Sequence, residues 1–166
     1  MRLRLVVFVL VGVVLVGAAV AWVFYAQRGA HLVLQGSVSK VRTVATDENS
    51  SVAIVDFRFV NVADYLWMVR KVDVSVTDAQ GFTVPGSTVS EVDAARLFEY
   101  FPLLGQKFND SLVARTRLEP HRTMDRMIAA KFEIPEAQLQ ARKGLRIRIE
   151  DVDGAVSEIA EGAPPR

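Results

Sequence analysis

The sequence predicts a mainly β domain that follows one apolar N-terminal segment long enough to span a membrane. Three stretches alternate apolar and polar residues, which is typical of strands that bury one face. They are VAIVDFRFV (52–60), RKVDVSVTD (70–78) and GLRIRIED (144–151). Residues 5–27 carry no charged side chain. A helix of that length, rising about 1.5 Å per residue, covers roughly 34 Å and exceeds a hydrocarbon core of about 30 Å.

The apolar segment raises a choice between a retained anchor and a cleaved signal peptide. Ala19-Val20-Ala21 has the small-residue spacing that a signal peptidase cuts. The apolar run nevertheless continues past Ala21, whereas a secretory h-region has only about 7–15 residues. Trp22 and Tyr25 suit the aromatic belt at a membrane–water interface. We therefore predict a signal anchor, with a cleaved and secreted domain as the alternative.

The basic residues Arg2 and Arg4 precede the apolar segment and favour an N-terminus in the cytoplasm. We accordingly expect a single-pass protein of the inner cell membrane whose C-terminal domain lies outside the cytoplasm. The lipid bilayer is then a partner of residues 5–27. The predicted organisation is a cytoplasmic tail (1–4), an anchor (5–27), a linker (28–31), a β-sandwich domain (32–160) and a disordered tail (161–166).

Charge and cysteine content exclude several classes of function. The chain has 20 basic and 19 acidic residues. Three of the basic residues and none of the acidic ones lie in residues 1–30, which leaves 17 basic against 19 acidic side chains in the remainder. Nothing in this balance indicates nucleic-acid binding. The sequence has no Cys, which excludes disulfides, thiolate zinc sites and a cysteine nucleophile.

Within the domain, the first predicted element is HLVLQGSVSKVRTVAT (31–46), one or two strands bent at Gly36. The polar DENSS (47–51) predicts a turn. In the three alternating strands, one set of side chains is expected to face the core. These are Ala53, Val55, Phe57 and Phe59 in the first, Val72, Val74 and Val76 in the second, and Leu145, Ile147 and Ile149 in the third. We expect each of these strands to be half-buried.

Two turns share the pattern Asp-x-x-Gly, which favours type I turns. DAQG (78–81) and DVDG (151–154) each follow an alternating strand, so each should close a β-hairpin. One segment breaks the β pattern. SEVDAARLFEYF (90–101) has helical spacing, a Ser90–Asp93 capping pair and Pro102 as its stop signal. A second short helix is predicted near 136–142, starting after Pro135.

Several short strands around one core and one inserted helix predict an immunoglobulin-like antiparallel β-sandwich. Two phrases add a resemblance. Residues 52–81 resemble the strand–Asn-turn–strand unit of late-embryogenesis-type and related immunoglobulin-like domains. Residues 129–154 resemble the F-x-[IV]-P stretch and hairpin of small bacterial immunoglobulin-like domains of unknown function. The matching residues are Asn61, Phe132, Ile134, Pro135 and Gly154. The resemblance implies an anchored or secreted sandwich and supplies no catalytic residue.

We predict no catalytic, cofactor-binding or metal-binding residue and hence no enzyme. His121 lies in the polar EPHRT segment and, without a G-x-S-x-G motif, is expected to be a solvated loop residue. The EDVDG segment lacks the ligand spacing of an EF-hand loop, so a plain hairpin turn accounts for it. The basic side chains of residues 115–126 alternate with acidic ones and predict a solvated face: Arg115, Arg117, Arg122 and Arg126.

The candidate functional segment is RLFEYFPLLGQKF (96–108), which is rich in aromatic residues. We expect Leu97, Phe98 and Phe101 to be buried by a helix laid over an open end of the sandwich. One helical face cannot bury all the apolar side chains here, and the remainder form a candidate interaction patch. Its members are Tyr100, Leu103, Leu104 and Phe108. An exposed apolar patch of this kind usually marks a protein or membrane contact.

Two classes of function follow from these features. The first is a structural or interaction domain, exposed outside the cytoplasm, that binds a protein partner without catalysis. The second is a sensor or enzyme-accessory domain that binds a small ligand in a pocket near the Phe98 helix. A flat patch over a closed core favours the first class, and a concave pocket with convergent polar groups favours the second.

Overall fold

The computed structural model of the chain describes residues 12–18, 20–22 and 34–162. The chain divides into two compact units, Met1–Leu32 and Val33–Arg166. In the first unit, residues 12–18 and 20–22 are helical and Trp22 is exposed. Within the described parts of the chain, none of the helices combines the length and apolar composition that a membrane span requires. Tyr25, His31, the predicted linker and much of the predicted anchor lie outside the described residues.

The second unit is mainly β, and its named strands pair antiparallel. Its strands are β1 (Gln35–Ala45), β2 (Ser51–Val60), β3 (Trp67–Thr77), β4 (Thr83–Thr88), β5 (Arg117–Leu118), β6 (Thr123–Phe132), β7 (Gly144–Asp151) and β8 (Val156–Ala160). Its helices are α1 (Glu91–Tyr100), a 3-10 turn (Pro102–Leu104) and α2 (Glu136–Gln140).

The strands follow the order β1-β2-β6-β4-β3-β7-β8, with β5 paired to β3. Strand β4 serves both halves of this path, because residues 83–86 pair with β3 whereas Ser87 and Thr88 pair with β6. At the crossing, a Cβ on Gly86 would lie 2.7 Å from the Phe132 ring. Only glycine fits there, so β4 can pass closely over the core as it changes partner.

The halves β1-β2-β6 (the first sheet) and β3-β7-β8 (the second sheet) share one apolar core. The predicted inward residues of all three alternating strands belong to this core, as expected. Only Val72 among them is partly exposed. The Phe57 and Phe59 rings stack with centroids 5.4 Å apart. The period-2 pattern therefore identified the inner faces correctly.

The hairpin turns and helix boundaries also follow the sequence. DAQG joins β3 to β4, and DVDG joins β7 to β8. The Asp78 carboxylate accepts hydrogen bonds from the backbone amides of Gln80 and Phe82. Ser90 caps α1 by accepting a hydrogen bond from the Asp93 amide at 3.1 Å. Helix α1 ends before Pro102, and α2 begins after Pro135.

The expectations for β1 and for the position of α1 are wrong. Strand β1 does not bend at Gly36, which is paired with Phe59, and its register shifts between Val38 and Lys40 instead. Gly36 is needed for a close approach, since a Cβ there would lie 2.6 Å from the carbonyl oxygen of Arg58. Helix α1 does not lie over an open end of the sandwich. It packs on the outer face of the first sheet, where Ala94 contacts a second apolar cluster.

That second cluster also corrects the prediction that β2 is half-buried. All its residues from Ser51 to Phe57 are buried, so both faces of the strand are covered. The cluster consists of Val44, Val52, Ile54, Ala94, Leu104, Met127 and Ala129. Because α1 and the chain that follows it lie over this face, the first sheet is packed on both sides for much of its length.

Candidate interaction surface

The candidate segment continues from α1 as an extended connection, residues 101–116, which we call the strap. The strap crosses the outer face of the first sheet, and polar contacts hold it to each strand in turn. On β1, the guanidinium Nη1 of Arg42 donates to the carbonyl oxygens of Leu104 and Gln106, both at 2.7 Å. On β2, the Asp56 carboxylate accepts a hydrogen bond from Asn109 Nδ2 at 2.9 Å.

Beyond β2 the strap is held by backbone hydrogen bonds. The Met127 amide of β6 donates to the carbonyl oxygen of Asp110 at 2.9 Å, and the Leu112 amide donates to the Met127 carbonyl at 2.8 Å. The strap then reaches the second sheet, where the Arg115 amide donates to the carbonyl of Val69 at 2.7 Å. Its position is therefore fixed along its whole course.

A buried ion pair lies beneath the strap. Arg42 Nη2 is 2.6 Å from Asp56 Oδ2, and the two side chains are only 8% and 5% exposed. Burying either charge alone would be costly, so each needs the other and the strap's polar groups. The Arg42 Nε atom is the one guanidinium nitrogen without a partner.

Aromatic rings flank the same guanidinium. The Arg42 Cζ atom lies 5.1 Å from the Phe98 ring centroid and 5.4 Å from the Phe108 ring centroid. The Lys40 ammonium lies 5.5 Å from the Phe108 ring centroid. Cations at such distances are attracted by the ring quadrupole. The Phe108 side chain is therefore held in place although it is 62% exposed.

The predicted patch divides into exposed and buried members. Tyr100 is 75% exposed and Leu103 is 94% exposed, in addition to Phe108. Leu104, in contrast, is 1% exposed, so its assignment to the surface is wrong. The 3-10 turn places adjacent side chains on different sides, and Leu104 enters the second apolar cluster while Leu103 points into solvent. We call the three exposed residues, Tyr100, Leu103 and Phe108, the strap patch.

The buried side of α1 also differs from the prediction. Leu97, Phe98 and Phe101 are only partly buried, and Ala94 is the fully buried residue of the helix. The helix lies on the outside of a sheet, so side chains at the margins of its contact face remain partly accessible to solvent.

Sequence reasoning missed Arg42, Asp56 and Asn109. Asp56 alternates with core residues, so the period-2 pattern places it on the solvent-facing side of a half-buried strand. One signal was available. Residues 52–55 form a continuous apolar run, which is typical of a strand covered on both faces. This apolar run does not, however, identify the residues that form the ion pair beneath the strap.

A groove lies on one side of the domain. It has a volume of about 490 Å³ and lies between β3, the start of α1, the strap and β6. Val72, Leu112 and Ile128 contribute apolar walls, and Arg70 and Lys71 lie at the groove. The groove also contains Ser111, whose hydroxyl oxygen is buried without a hydrogen-bond partner. It adjoins the N-terminal end of α1, the helix that contains Phe98 and near which the second class of function expects a pocket.

The other sequence candidates are accounted for by local structure. His121 Nε2 lies 2.9 Å from Asp64 Oδ1, and both side chains are exposed. The Asp151 carboxylate accepts a hydrogen bond from the Met68 amide at 2.7 Å, so it serves the backbone of a neighbouring strand. Among the residues that the structure describes, no group of three or more His, Asp or Glu side chains is arranged to hold a metal ion.

The basic residues of segment 115–126 do not form one site either. Arg115 has a positive φ of 67° and lies near the end of the strap, just before β5. Arg117 is exposed in β5, and Arg122 lies in the loop that precedes β6. Arg126 is 3.9 Å from the Asp110 carboxylate.

No protein-family description matches the chain. No curated protein sequence matches it either. Among solved structures, it is similar to an uncharacterized β-sandwich protein from Clostridium difficile 630, at 8% identity over 76% of this chain and 84% of that one, with a TM-score of 0.39. It is also similar to the archaellum periplasmic stator protein FlaG from Sulfolobus acidocaldarius, at 13% identity over 77% of this chain and 99% of that one, with a TM-score of 0.31.

Proposed function

We propose that this chain is a single-pass membrane protein whose immunoglobulin-like domain lies outside the cytoplasm and binds a protein partner through the strap patch. In this proposal the domain is an interaction or structural component and performs no catalysis. The observation that carries the proposal is the strap patch itself, three large apolar side chains that remain exposed on a segment fixed to the strands beneath it.

The membrane part of the proposal is supported by sequence. Residues 5–27 are uncharged and long enough to cross a bilayer, and Arg2 and Arg4 precede them. The described residues of this segment are helical. A mature protein that starts near Trp22 and occurs in the soluble fraction would contradict this part and favour the secreted alternative.

The immunoglobulin-like part is supported by strand order. In a constant-type immunoglobulin domain, the first, second, fifth and fourth strands form one sheet, and the third, sixth and seventh form the other. Here β1, β2, β6 and the end of β4 are neighbours, as are β3, β7 and β8. The short β5 is an addition to that order, and β4 contributes to both sheets.

The interaction part is supported by the way the patch is held. Aromatic side chains often anchor protein interfaces because they bury a large area for little loss of side-chain freedom. Arg42, paired with Asp56, donates to the carbonyl oxygens of Leu104 and Gln106 and contacts the Phe108 ring. A fixed surface loses less conformational entropy on binding than a flexible loop does. These contacts favour a preformed binding surface.

Site-specific photocrosslinking tests the interaction. We would replace Leu103 with p-benzoylphenylalanine in the full chain, irradiate intact cells and identify adducts by mass spectrometry. Phe82 provides a matched control, because it is 72% exposed but lies in the β3–β4 turn, away from the strap. We expect a specific protein adduct at position 103 and none at position 82. No adduct at 103, or the same adducts at both positions, would contradict the proposal.

Stability measurements separate binding from folding. Tyr100→Ala should reduce the adduct formed from position 103, and Tyr100→Ala and Leu103→Ala should each reduce recovery of the complex, while both leave the free energy of unfolding within about 0.5 kcal/mol of the wild type. Phe98→Ala should lower the stability measurably, because its ring packs on Arg42 and on the second apolar cluster. If the two patch variants unfold the domain as severely as Phe98→Ala does, the patch is part of the core.

The groove favours a second candidate function, the binding of a small ligand by a sensor or accessory domain. Its volume of about 490 Å³ falls within the usual range for ligand pockets, and Ser111 offers an unpaired hydroxyl. A fragment that raises the Tm of the wild type but not of Val72→Trp would support this candidate. A fragment screen without such a compound would leave the strap patch as the better supported site.

A further inference from the structure

One end of the domain is defined by the start of β1. Gln35 pairs with Val60, so the first residues of β1 lie beside the last residues of β2. The Leu34 amide donates a hydrogen bond to Ser157 Oγ at 2.7 Å, which places the same point beside β8. We call this the N-proximal end, because the chain from residues 5–27 enters the domain here.

Two further segments meet at the N-proximal end. They are the β2–β3 loop, residues 61–66, and the β7–β8 turn, residues 152–155. Met68 connects them, since its amide donates to Asp151 Oδ1 at 2.7 Å and its carbonyl accepts from the Val152 amide at 3.0 Å. The Asn61 side chain holds the loop by donating to the carbonyl of Tyr65 at 2.7 Å. Both segments are therefore ordered by specific hydrogen bonds.

These two segments expose apolar side chains together. The exposed fractions are 43% for Val62, 38% for Tyr65, 37% for Leu66 and 46% for Val152. The opposite end of the domain differs. Among its described turns, residues 46–50, 78–82 and 133–143, Phe82, at 72%, is the one large apolar side chain that is exposed. Of the two ends of the domain, the N-proximal end therefore carries the larger number of exposed apolar side chains.

We propose that the N-proximal end rests on the lipid bilayer and inserts Val62, Tyr65, Leu66 and Val152 into its interfacial region. This inference rests on the proposed membrane anchor. Residues 28–34 connect that anchor to the domain and can extend to at most about 25 Å. A tether of this length keeps the N-proximal end at a high effective concentration near the membrane surface. A partner in the bilayer is therefore favoured over one that must diffuse to this end.

The chemistry of the end fits a lipid interface. Tyrosine is enriched at the boundary between headgroups and hydrocarbon, where its ring is apolar and its hydroxyl remains hydrated. Asp64 and Asp153 are next to Tyr65 and Val152 in the chain, and the carbonyl of Arg122 accepts a hydrogen bond from the Asn61 amide at 3.1 Å, so residues of both charges lie near this end. The end therefore needs no excess of anionic lipid, and phosphatidylcholine vesicles are a suitable probe. In this arrangement the strap patch, on the outer face of the first sheet, is left free for a protein partner.

The lack of cysteine makes a direct test practical. Single variants Val62→Cys, Val152→Cys and Phe82→Cys of the full chain would be labelled with an environment-sensitive fluorophore and reconstituted into phosphatidylcholine vesicles. A lipid that carries a nitroxide quencher near its headgroup would then report contact. We expect at least a twofold loss of fluorescence at positions 62 and 152 and little loss at position 82. Leu103→Cys reports on the strap patch and should behave like Phe82→Cys.

The outcomes distinguish this inference from the proposed function. Vesicle flotation shows first whether the full chain is held by the bilayer, and a chain that does not float would overturn both proposals. If the chain floats but the labels at 62 and 152 are not quenched more than the label at 82, the anchor stands and this inference is wrong. Stronger quenching at 103 than at 62 would also overturn it, because the strap patch would then face the lipid.

Discussion

Two arginine–aspartate pairs lie on the outer face of the first sheet, and the strap covers only one of them. Arg42 and Asp56 approach to 2.6 Å with their side chains 8% and 5% exposed. Arg58 and Asp125 approach to 2.7 Å, but their side chains are 63% and 45% exposed. The two pairs have the same chemistry, the same sheet face and nearly the same distance. They differ in what lies above them.

The residue types of the two ion pairs are the same, so the structural role of each pair depends on whether the strap covers it. Under the strap, the charges must be neutralised, and the same groups hold the backbone of residues 104–109 in place. In the open part of the face, water solvates both charges and a surface pair contributes little. The covered pair therefore positions the strap patch, whereas the open pair contributes little to the structure.

The largest expected loss of stability comes from a substitution on the inner face of β2, with which the effects of the two ion pairs can be compared. Phe57→Ala should lower the free energy of unfolding by about 3–5 kcal/mol, because it opens a cavity in a closely packed core. Arg58→Ala, one residue along and on the outer face, should cost much less. Chemical denaturation of both variants measures the difference. Equal losses would mean that the faces of β2 are assigned wrongly.

Removal of one member of the covered pair should have the next largest effect. Asp56→Ala leaves the Arg42 charge buried without its partner, and we expect a loss of about 3 kcal/mol in the free energy of unfolding. Asp56→Leu should behave like Asp56→Ala, and the double variant Arg42→Met/Asp56→Leu should be less destabilised than Asp56→Leu alone, since no charge remains buried; Arg42→Met and Asp56→Leu are the two single variants of the cycle. A double-mutant cycle by denaturant titration measures this coupling. A double variant whose loss equals the sum of the single losses would show that the two residues act independently.

The open pair should have the smallest effect, and that effect should depend on pH. Hydrogen bonds from Arg58 hold the pKa of Asp125 below its usual value. A carboxylate with a lowered pKa in the folded state stabilises the fold above the pKa of the unfolded chain, and this contribution is lost as the pH falls through the folded-state pKa. The stability difference between wild type and Asp125→Asn should thus shrink from pH 7 towards acid, and shrink also in high salt. A difference that grows on acidification would contradict this assignment.

Strand β6 illustrates where sequence reasoning stops. Residues 127–130 read Met-Ile-Ala-Ala and are all buried, with Met127 and Ala129 facing the second cluster and Ile128 and Ala130 facing the core. A strand that is covered on both faces does not alternate apolar and polar residues, so its sequence lacks the period of 2 that identifies a strand. No strand is accordingly predicted here, although β6 lies between β2 and the end of β4 and pairs with β2 over its whole length.

The candidate site was only partly predictable for a related reason. Local spacing predicted helix α1, its Ser90 cap and the stop at Pro102, and it drew attention to Tyr100 and Leu103. Local spacing did not distinguish Leu103 from Leu104, because their exposure depends on how the chain meets a sheet that is distant in sequence. The cation that holds Phe108 in place also comes from a distant strand.

The sequence by itself determined the inner faces of the alternating strands, both Asp-x-x-Gly hairpins and the ends of the two helices. These features depend on backbone preferences and side-chain periods that act over a few residues. Only the tertiary structure decided that β4 joins both sheets, that β2 is covered twice and that Arg42 pairs with Asp56 beneath the strap. The Arg42 hydrogen bond to Leu104 spans 62 positions along the chain. A contact over that separation depends on how the whole domain packs, which no local pattern encodes.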